Sequence, residues 1–564
     1  MLTVQEVMQR LAALKKRRLP YEPSWKDITN YILPRRSFWD EDATPGQKPT
    51  TKRYDGTALN ELQLSVDGTL GNLVSASMKW MRLTMEDKAQ NDIPWVMDWL
   101  EEVEDVLYAE LARSNFYDSL GEFFLDGASI GTAVMLVDDD VATKQILFSA
   151  RHIKECYLAE GRDGKVDTLY REFPISNRQM AQIWDDKLSV PRKQRVKDDP
   201  FGTAHVIHAC FPRAEREPGK VDKYNKAWSS IYIDREFHNE KFLDEGGYDS
   251  FPYLAWRWRK NSDEWYGRSP AMDSIDDVLR LNQIGLTNLT VAQMAAQPPM
   301  NVPMAMKGQE KLIPKGYNYY LKPDEMMFPI NLGQNYPITK DQELALKAQI
   351  KETFRTKMYM LLDQLEKGTM TATEVNARQG EKAVVQGPMM GRLNSECLIP
   401  LIRRTYMICE RNGRIPPPPP QLAQGGRVHI DFQGPLAMQT KKYHQTQGVD
   451  AAIPFLQVMQ GMAPESLDNV DFDELMRTGM DSKGAPQKSI REKPQVSEIR
   501  KMRQQAQAEQ EQKAIEMEQQ KMLAANANKL NEPVKPDSML AGIGKAAQKG
   551  SQPAGPAPKG MPQR

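Results

Sequence analysis

Apolar residues within 341–366 recur at steps of three and four, which places a single apolar stripe on one long helix. The stripe consists of Leu346, Ile350, Phe354, Met358, Leu361 and Leu365. At 1.5 Å per residue this helix is roughly 39 Å long. A second helix follows after a short polar loop. Two long helices joined at a tight turn are typical of a framework rather than of a catalytic cleft.

The loop between these helices is made of Lys367, Gly368, Thr369, Met370 and Thr371. Gly368 lies where a helix often ends in a left-handed conformation, which glycine adopts readily. Thr371 and Glu374 are three apart, as in a capping box at the start of the next helix. Met370 lies between two threonines, which fits either soft contact with a moving partner or simple packing of the loop.

Helix breakers interrupt the second of the two helices. Gly387, Pro388 and Pro400 lie within it, and proline both removes a backbone donor and clashes with the preceding turn. We therefore predict kinks at these positions, with Glu374 as part of the helix cap. Cys397 and Cys409 lie on the same segment, and we interpret both as core residues.

A further helix is predicted over residues 270–297, with apolar residues on more than one side. Such a distribution favours burial on several sides, by neighbouring elements or neighbouring subunits. One stripe contains Ile275, Leu279, Leu286 and Leu289, whereas Ile284, Val291 and Met294 lie elsewhere. Residues 298–337 are rich in proline, glycine and aromatic residues, and we predict a compact insertion there between two long helices. Within it, short strands are predicted near Tyr317–Leu321 and Met326–Ile330.

The first part of the chain divides into a helical region and a strand-rich region. Helices are predicted over 4–18, with a capping box at Thr3 and Glu6, and over 21–33, 59–73, 93–111 and 116–128. Strands are predicted over 132–137, 145–149, 166–171, 205–211 and 230–233. Helices with an inserted strand-rich portion indicate an α+β architecture, predominantly helical.

The last part of the chain changes composition. Residues 416–420 are consecutive prolines, which we interpret as a stiff spacer rather than a recognition ligand. A strand is predicted over 428–432, and helices over 445–460 and 472–476. From Asp481 onwards there is no Phe, Trp or Tyr, and 15 Lys/Arg stand against 9 Asp/Glu. We expect a polar helix over 497–529 followed by disorder.

Composition excludes some classes of function. The 564 residues suggest two to four domains. Lys+Arg and Asp+Glu are both 75, so a protein that grips nucleic acid by neutralising many phosphates is disfavoured. No stretch is typical of a signal peptide or a membrane span. The four cysteines have no paired short spacing, which predicts reduced thiols in a cytoplasmic compartment.

Few residue patterns indicate chemistry. His205, His208 and Cys210 resemble a metal site, but only His208 and Cys210 share a strand face. Asp138–Asp140 follow a predicted strand, and we interpret them as a solvated turn. Phosphate-loop, dinucleotide, zinc-protease and nucleophile-elbow motifs do not occur. We therefore predict a protein that is not an enzyme, with no catalytic residue, no metal and no cofactor.

Several segments, in their order and spacing from about residue 5 to residue 440, resemble the head-to-tail connector (portal) family of short-tailed bacteriophages, the podovirus type. The resemblance is densest in Phe116–Asp118, Gly127–Leu136, Pro252–Tyr253, Arg257–Trp258, Glu264–Pro270, Gly368–Val375, Gly387–Pro388, Glu396, Pro400 and Pro417. The tail beyond Asp481 lies outside it.

The resemblance implies a viral portal protein, a homo-oligomeric ring of twelve subunits (a dodecamer) around a central channel at one capsid vertex of the virion. It also implies that the protein is in the host cytoplasm during assembly. It implies regions named wing (1–269, and again 372–440 with the long kinked helix), stem (270–297 and 341–366), clip (298–340), tunnel loop (367–371) and crown (441–490), with 491–564 as a partly helical to disordered tail.

The resemblance also implies the partners. They are the major capsid protein, a scaffolding protein, the terminase large subunit during DNA packaging, tail adaptor or nozzle proteins afterwards, and internal core proteins. Double-stranded DNA would pass through the channel without sequence readout, inward during packaging and outward during ejection. A neutral net charge suits DNA that slides without being held.

Two alternatives stay open at this stage. One is a different virion protein, a scaffold or a tail-fitting structural protein, which a ring of another symmetry would favour. The other is a metal-dependent hydrolase that uses the region of His208 and Cys210, which elemental analysis would decide.

Overall fold

The apolar stripes of the first part of the chain fold into five helices, of which the last four contribute residues to the largest core and the first packs in a separate core. The computed structural model describes residues 2–34, 51–87, 93–140, 143–304 (without 218, 221 and 239–240), 307–308, 319–329, 336–356, 389–420, 427–433, 447–462, 464–482, 490–491 and 493–530. The five helices are α1 (Val4–Arg18), α2 (Glu22–Tyr31), α3 (Thr57–Leu73), α4 (Pro94–Arg113) and α5 (Phe116–Ile130). All five were predicted from sequence.

Helix α1 shows how local sequence sets these elements. Thr3 accepts a hydrogen bond from the Glu6 amide and Glu6 reaches back to the Thr3 amide, so the predicted capping box is confirmed. The last turn carries four basic residues, which suit the negative end of the helix dipole. Val4, Val7 and Leu11 are buried against one face of the larger sheet.

Strands form two antiparallel sheets and two short ladders. The strands are β1 (Met81–Met85), β2 (Thr132–Asp140), β3 (Gln145–Arg151), β4 (Cys156–Glu160), β5 (Val166–Ser176), β6 (Thr203–Pro212), β7 (Trp228–Asp234), β8 (Asp244–Tyr248), β9 (Tyr253–Arg257), β10 (Met300–Asn301), β11 (Phe328–Pro329) and β12 (Val428–Phe432). The larger sheet has the order β4-β5-β6-β7-β8, the smaller β3-β2-β9, and the ladders join β1 to β12 and β10 to β11. Two short helices, α6 (Asn177–Trp184) and α7 (Val190–Asp198), lie between β5 and β6.

The remaining helices follow the strand-rich region. They are α8 (Pro270–Ala296), α9 (Tyr336–Thr353), α10 (Ile399–Arg411), α11 (Gln447–Met462) and α12 (Phe472–Ser482). The chain divides into two units, residues 1–485 and 486–564, and α13 (Lys493–Leu530) belongs to the second. The mixture of helices and antiparallel strands confirms the predicted α+β class, and the predicted strand at 428–432 is confirmed as β12.

The helix predicted over 341–366 has different ends. It begins at Tyr336 and ends at Thr353. Arg355 has φ +55, a left-handed conformation that α-helical residues do not adopt, and Phe354 beside it is buried in the core. Just beyond this end, the Thr356 hydroxyl donates to the Glu61 carboxylate at 2.6 Å, so the chain is fixed to α3 where the helix stops. Residues 357–366 lie outside the described part of the chain.

Two further predictions are corrected. Residues 319–321 form no strand, because Tyr319 and Leu321 are 83% and 95% exposed and have no buried face to fix a register. The second predicted strand is confirmed over two residues, because Phe328–Pro329 form β11 and pair with Met300–Asn301. Asp138–Asp140 are not a turn but the end of β2, paired with β3.

Candidate functional site: the α8–α9 helix pair

Helix α8 is fixed to the body at its first turn. The Ser269 hydroxyl accepts a hydrogen bond from the Met272 amide at 3.0 Å and donates to the Ser129 carbonyl at the end of α5, at 2.6 Å. Pro270 occupies the first turn, where its missing amide costs nothing. The start of α8 is therefore tied to the end of α5 by a fully buried serine.

The two halves of α8 differ in exposure. Residues of the first half, including Ala271, Val278 and Leu281, are buried in the largest core. Beyond Leu281 no residue of the helix is buried, and Leu289 and Met294 are 46% and 38% exposed. A single chain thus leaves the second half of this helix largely uncovered.

That second half begins an uncharged stretch of sequence. From Leu281 to Met306 there is no Asp, Glu, Lys, Arg or His. A solvated helix face normally carries charged side chains. A half-exposed, uncharged helix with Leu289 and Met294 on its surface therefore indicates a face that another molecule covers. Sequence reasoning placed apolar residues on several sides of this helix but overlooked the missing charges.

Helix α9 runs back along α8 in the opposite direction. The Asn288 side-chain Nδ2 of α8 donates to the Glu343 carboxylate of α9 at 2.8 Å, and Glu343 forms an ion pair with Lys347 at 2.6 Å. Nearer the body, Ile350 enters the same core as the first half of α8. The pair is therefore anchored at one end by apolar packing and joined along its length by polar contacts.

Tyr54 and Asp55, which precede α3, contact both helices of the pair. The Tyr54 amide donates to Asn282 of α8 at 2.8 Å, and Lys347 of α9 reaches the Asp55 carboxylate at 3.1 Å. Burial acts to raise the pKa of Asp55, but hydrogen bonds from Thr57 and the Lys347 ammonium outweigh it, so this pKa lies below its usual value. Asp55 therefore stays ionised as a fixed anchor for α9.

The predicted site residues are only partly within the described chain. Lys367, Gly368, Thr369, Met370 and Thr371 lie outside it, as do Glu374, Gly387 and Pro388. Pro400 is described, in the first turn of α10. It follows directly on a π-helical turn at Asn394–Leu398, so the helix is irregular where proline was predicted to interrupt it.

A buried ion cluster lies at this π-helical turn, and sequence reasoning did not predict it. We call it the Glu396 cluster; it comprises Glu396, Arg257, Arg392, Glu160 and Lys260. Arg257 is 0% exposed and forms ion pairs with both glutamates. The cluster joins β9 and the larger sheet to the helical residues that lead into α10.

Arginines of α10 explain why Asp138–Asp140 are not a solvated turn. Arg404 donates to the Val137 carbonyl at 2.6 Å and lies 4.0 Å from Asp138. Arg411 forms an ion pair with Asp139 at 2.6 Å. Burial raises the pKa of Asp138, although the Arg404 guanidinium opposes it. Asp138 and Asp139 therefore attach α10 to the end of β2 through their contacts with Arg404 and Arg411.

The residues considered as metal ligands are engaged in other contacts of the core. His208 and Cys210 lie on one face of β6, as the strand period predicts, but both His208 nitrogens are engaged, with Tyr253 at 2.6 Å and Ser230 at 3.0 Å. Burial, with smaller effects of Arg171 and Arg151, lowers the pKa of His208 to about 3. Burial raises the pKa of the Cys210 thiol far above its usual value.

The part of the chain that the structure describes offers neither a metal cluster nor a membrane-spanning helix. Within the described ranges, no three His, Cys, Asp or Glu side chains are grouped to hold a metal ion. The described helices include none with both the length and the apolar character of a bilayer span. All four cysteines are free buried thiols, and Cys397 and Cys409 pack in the largest core, as predicted.

The exposed, uncharged second half of α8, beside an α9 that is anchored in a body of helices and antiparallel sheets, indicates the class of proteins that assemble from subunits. Comparison with known proteins gives the same class. A family model described as bacteriophage head to tail connecting protein matches residues 4–490. The chain belongs to this family, and the resemblance stated from sequence is confirmed.

Two relatives cover nearly the whole chain. The "Probable portal protein" of Bordetella phage BPP-1 is 31% identical over 509 residues, 88% of this chain and 90% of the relative. The "Portal protein" of Salmonella phage epsilon15 is 30% identical over 560 residues, 96% of this chain and 98% of the relative. The second alignment extends beyond residue 490, where the family model ends.

Proposed function

We propose that this chain is a portal protein, which assembles into a ring at one vertex of the capsid and forms the channel through which DNA enters and leaves the head. The uncovered end of α8 carries the proposal. In a closed ring every subunit presents the same surface to a neighbour, so an uncharged helix face that one chain leaves exposed is covered by the next.

The division into regions follows from the family. We propose that residues 1–269 and 372–440 form the wing, α8 and residues 341–366 the stem, 298–340 the clip, and 441–490 the crown. The described stem helices support this division, because both are anchored at the body end and α8 is uncovered at the other. Residues 367–371 would then be the tunnel loop beside the channel.

The proposed partners follow from the regions assigned above. The wing would contact the major capsid protein, with a scaffolding protein during assembly. The clip would bind the terminase large subunit while DNA is packaged, and tail adaptor or nozzle proteins afterwards. Internal core proteins would meet the crown. The chain itself needs no catalytic centre, because the motor supplies the chemical work.

Electron microscopy of the purified full-length protein tests the proposal. We expect class averages down the symmetry axis to show closed rings with a hole wide enough for double-stranded DNA. Twelve-fold averages would match the proposed dodecamer. Monomers or two-fold dimers under all conditions would overturn the portal function. A ring without an axial hole would favour a tail-fitting or scaffold protein instead.

Deletion of Thr369–Thr371 tests the proposed tunnel loop. We expect rings to form as before, while DNA packaging or retention in assembled heads declines. The matched control is deletion of residues 417–419 from the proline run, which should leave retention unchanged because it spares Pro416, whose carbonyl accepts a hydrogen bond from Trp99 at 3.1 Å. Loss of rings on deletion of the loop, with no separate effect on DNA, would show that the loop is architectural.

A further inference from the structure

Helix α8 carries a row of residues on the side that faces away from α9. The row follows steps of three and four, which places its members on one helix face: Arg280, Gln283, Thr287, Thr290 and Met294. Asn288, which contacts α9, comes two residues before Thr290, and two residues turn an α-helix by about 200°. We call this row the outer stripe of α8. Thr290 is half-buried and the others are exposed.

The two threonines of the outer stripe of α8 have hydroxyl groups that donate within the helix. Thr287 Oγ1 donates to the Gln283 carbonyl at 3.0 Å, and Thr290 Oγ1 donates to the Leu286 carbonyl at 2.9 Å. Another molecule can therefore cover these threonines without leaving a hydroxyl donor unpaired.

Helix α9 has a matching row on the side that faces away from α8. Its members are exposed and follow steps of four, three and four: Asp341, Ala345, Ala348 and Glu352. Glu343, which contacts α8, comes two residues before Ala345, so this row also lies about 200° around its helix from the contact. We call it the outer stripe of α9. Its two central alanines are small enough to let another helix approach closely, and its ends are acidic.

Arg280 and Glu352 lie at about the same height along the helix pair. The contact of Asn288 with Glu343 sets the register of the two antiparallel helices. Toward the body, Arg280 is eight residues from Asn288 and Glu352 is nine from Glu343, which correspond to about 12 and 13.5 Å. Within its own chain Arg280 forms an ion pair with Asp277 at 3.8 Å, while its side chain is 71% exposed. Its charge is therefore available at the surface.

We propose that the outer stripe of α8 in one subunit packs against the outer stripe of α9 in the next, and that Arg280 pairs there with Glu352 of the next subunit. This contact rests on the proposed function and specifies the surface that closes the ring. The two stripes lie on opposite sides of one helix pair, as a head-to-tail contact requires. A two-fold contact of α9 with itself would instead bring Asp341 against Glu352, two acids that repel.

Charge reversal in the full-length protein tests the contact. Arg280→Glu and Glu352→Arg each place like charges opposite one another, so we expect each variant alone to weaken ring assembly at least about tenfold. Both positions are exposed in the single chain, so both variants should fold, which circular dichroism checks. The matched control is Arg503→Glu, at an exposed position of α13, which should assemble as wild type does.

A mixture of the two variants distinguishes a contact between chains from one within a chain. In a ring where the variants alternate, opposite charges meet at every contact, although neither variant assembles well alone. We expect an equimolar mixture to form rings at wild-type concentrations, measured by light scattering coupled to size exclusion. Wild-type rings with no recovery in the mixture would overturn the contact alone. A wild-type chain that forms no rings would overturn the proposed function and the contact with it.

Cross-linking provides a second measurement, which does not depend on charge. Thr287 and Ala345 lie at nearly the same height on opposite sides of the pair, and all four native cysteines are buried. We expect Thr287→Cys with Ala345→Cys in one chain, treated as rings with a short bis-maleimide, to give a ladder of linked subunits on a denaturing gel. Either substitution alone should give single chains. Single chains from the double variant would overturn the contact.

Discussion

Gly131 and Gly267 meet backbone to backbone where the chain leaves α5 and again where it approaches α8. A methyl group at Gly267 would lie 2.1 Å from the Gly131 carbonyl oxygen, and one at Gly131 would lie 2.4 Å from the Gly267 carbonyl oxygen. Gly131 also has φ +88, a conformation that favours glycine. This contact sets the distance between the body and the start of the proposed stem.

Gly267→Ala should therefore destabilise the protein by about 3 kcal/mol, because neither backbone can move away without disturbing α5 or α8. The measurement is chemical unfolding of variant and wild type. Gly121→Ala is the control within α5: nothing lies within 4 Å of its new methyl group, and alanine favours helix, so a gain of about 0.5–1 kcal/mol is expected. A neutral Gly267→Ala would show that the contact is loose.

Glu104 should make stability fall as pH rises. Burial is the main cause that raises its pKa from 4.5 to about 7, against the hydrogen bond from the Leu83 amide. The folded state therefore holds this proton more tightly than the unfolded state, and stability is lost between about pH 4.5 and 7. At pH 8, Glu104→Gln should be more stable than wild type by roughly 3 kcal/mol.

The prediction for Glu104 is tested by comparing the stability of Glu104→Gln with that of wild type at two pH values. Unfolding midpoints in urea at pH 5 and pH 8 give the difference between variant and wild type at each. We expect a large difference at pH 8 and a small one at pH 5. The same difference at both values would mean that Glu104 is ionised throughout, and the raised pKa would be wrong.

His208 should make stability fall as pH drops, which is the opposite of the effect of Glu104. Its pKa falls from 6.5 to about 3 because burial disfavours the charged ring. The unfolded state then binds a proton that the folded state does not, so stability falls as pH drops below 6.5. Between pH 7 and 5, wild type should lose about 2 kcal/mol more than His208→Gln.

The slope with pH, not the absolute stability, is the test for His208. The ring stacks on Tyr232 with centroids 4.2 Å apart, so the variant will be weaker at every pH. Parallel stability profiles for wild type and variant between pH 7 and 5 would contradict the prediction.

Local patterns were enough to predict most helices and the main strands. The stripes in α3, α4 and α5 and the capping box of α1 depend on residues within a few turns. The strand and the ion pair that sequence reasoning missed depend on residues that lie far apart along the chain. Strand β1 pairs with β12 far along the chain, with Met85 opposite Val428. Arg257 and Glu396 are 139 residues apart, and no local spacing relates them.

Leu289→Glu should block assembly while leaving the single chain folded. The side chain is already 46% exposed in one chain, so a carboxylate there keeps its water. In a subunit contact the same carboxylate would be buried without a partner, which weakens association at least about tenfold. Light scattering coupled to size exclusion measures the oligomer. Met502→Glu on α13, at a 65% exposed position, is the control and should assemble normally.

A stop after residue 490 should leave ring formation intact. Within α13, every residue of 501–522 is exposed, and Met502, Ile515 and Met517 are each more than half exposed. A helix that buries so little contributes little to a subunit contact. Electron micrographs of the truncated protein should show rings of the same diameter and symmetry as those of the full chain. If the truncated chain stays monomeric, residues 491–564 organise the subunits, and the assembly surface extends beyond α8.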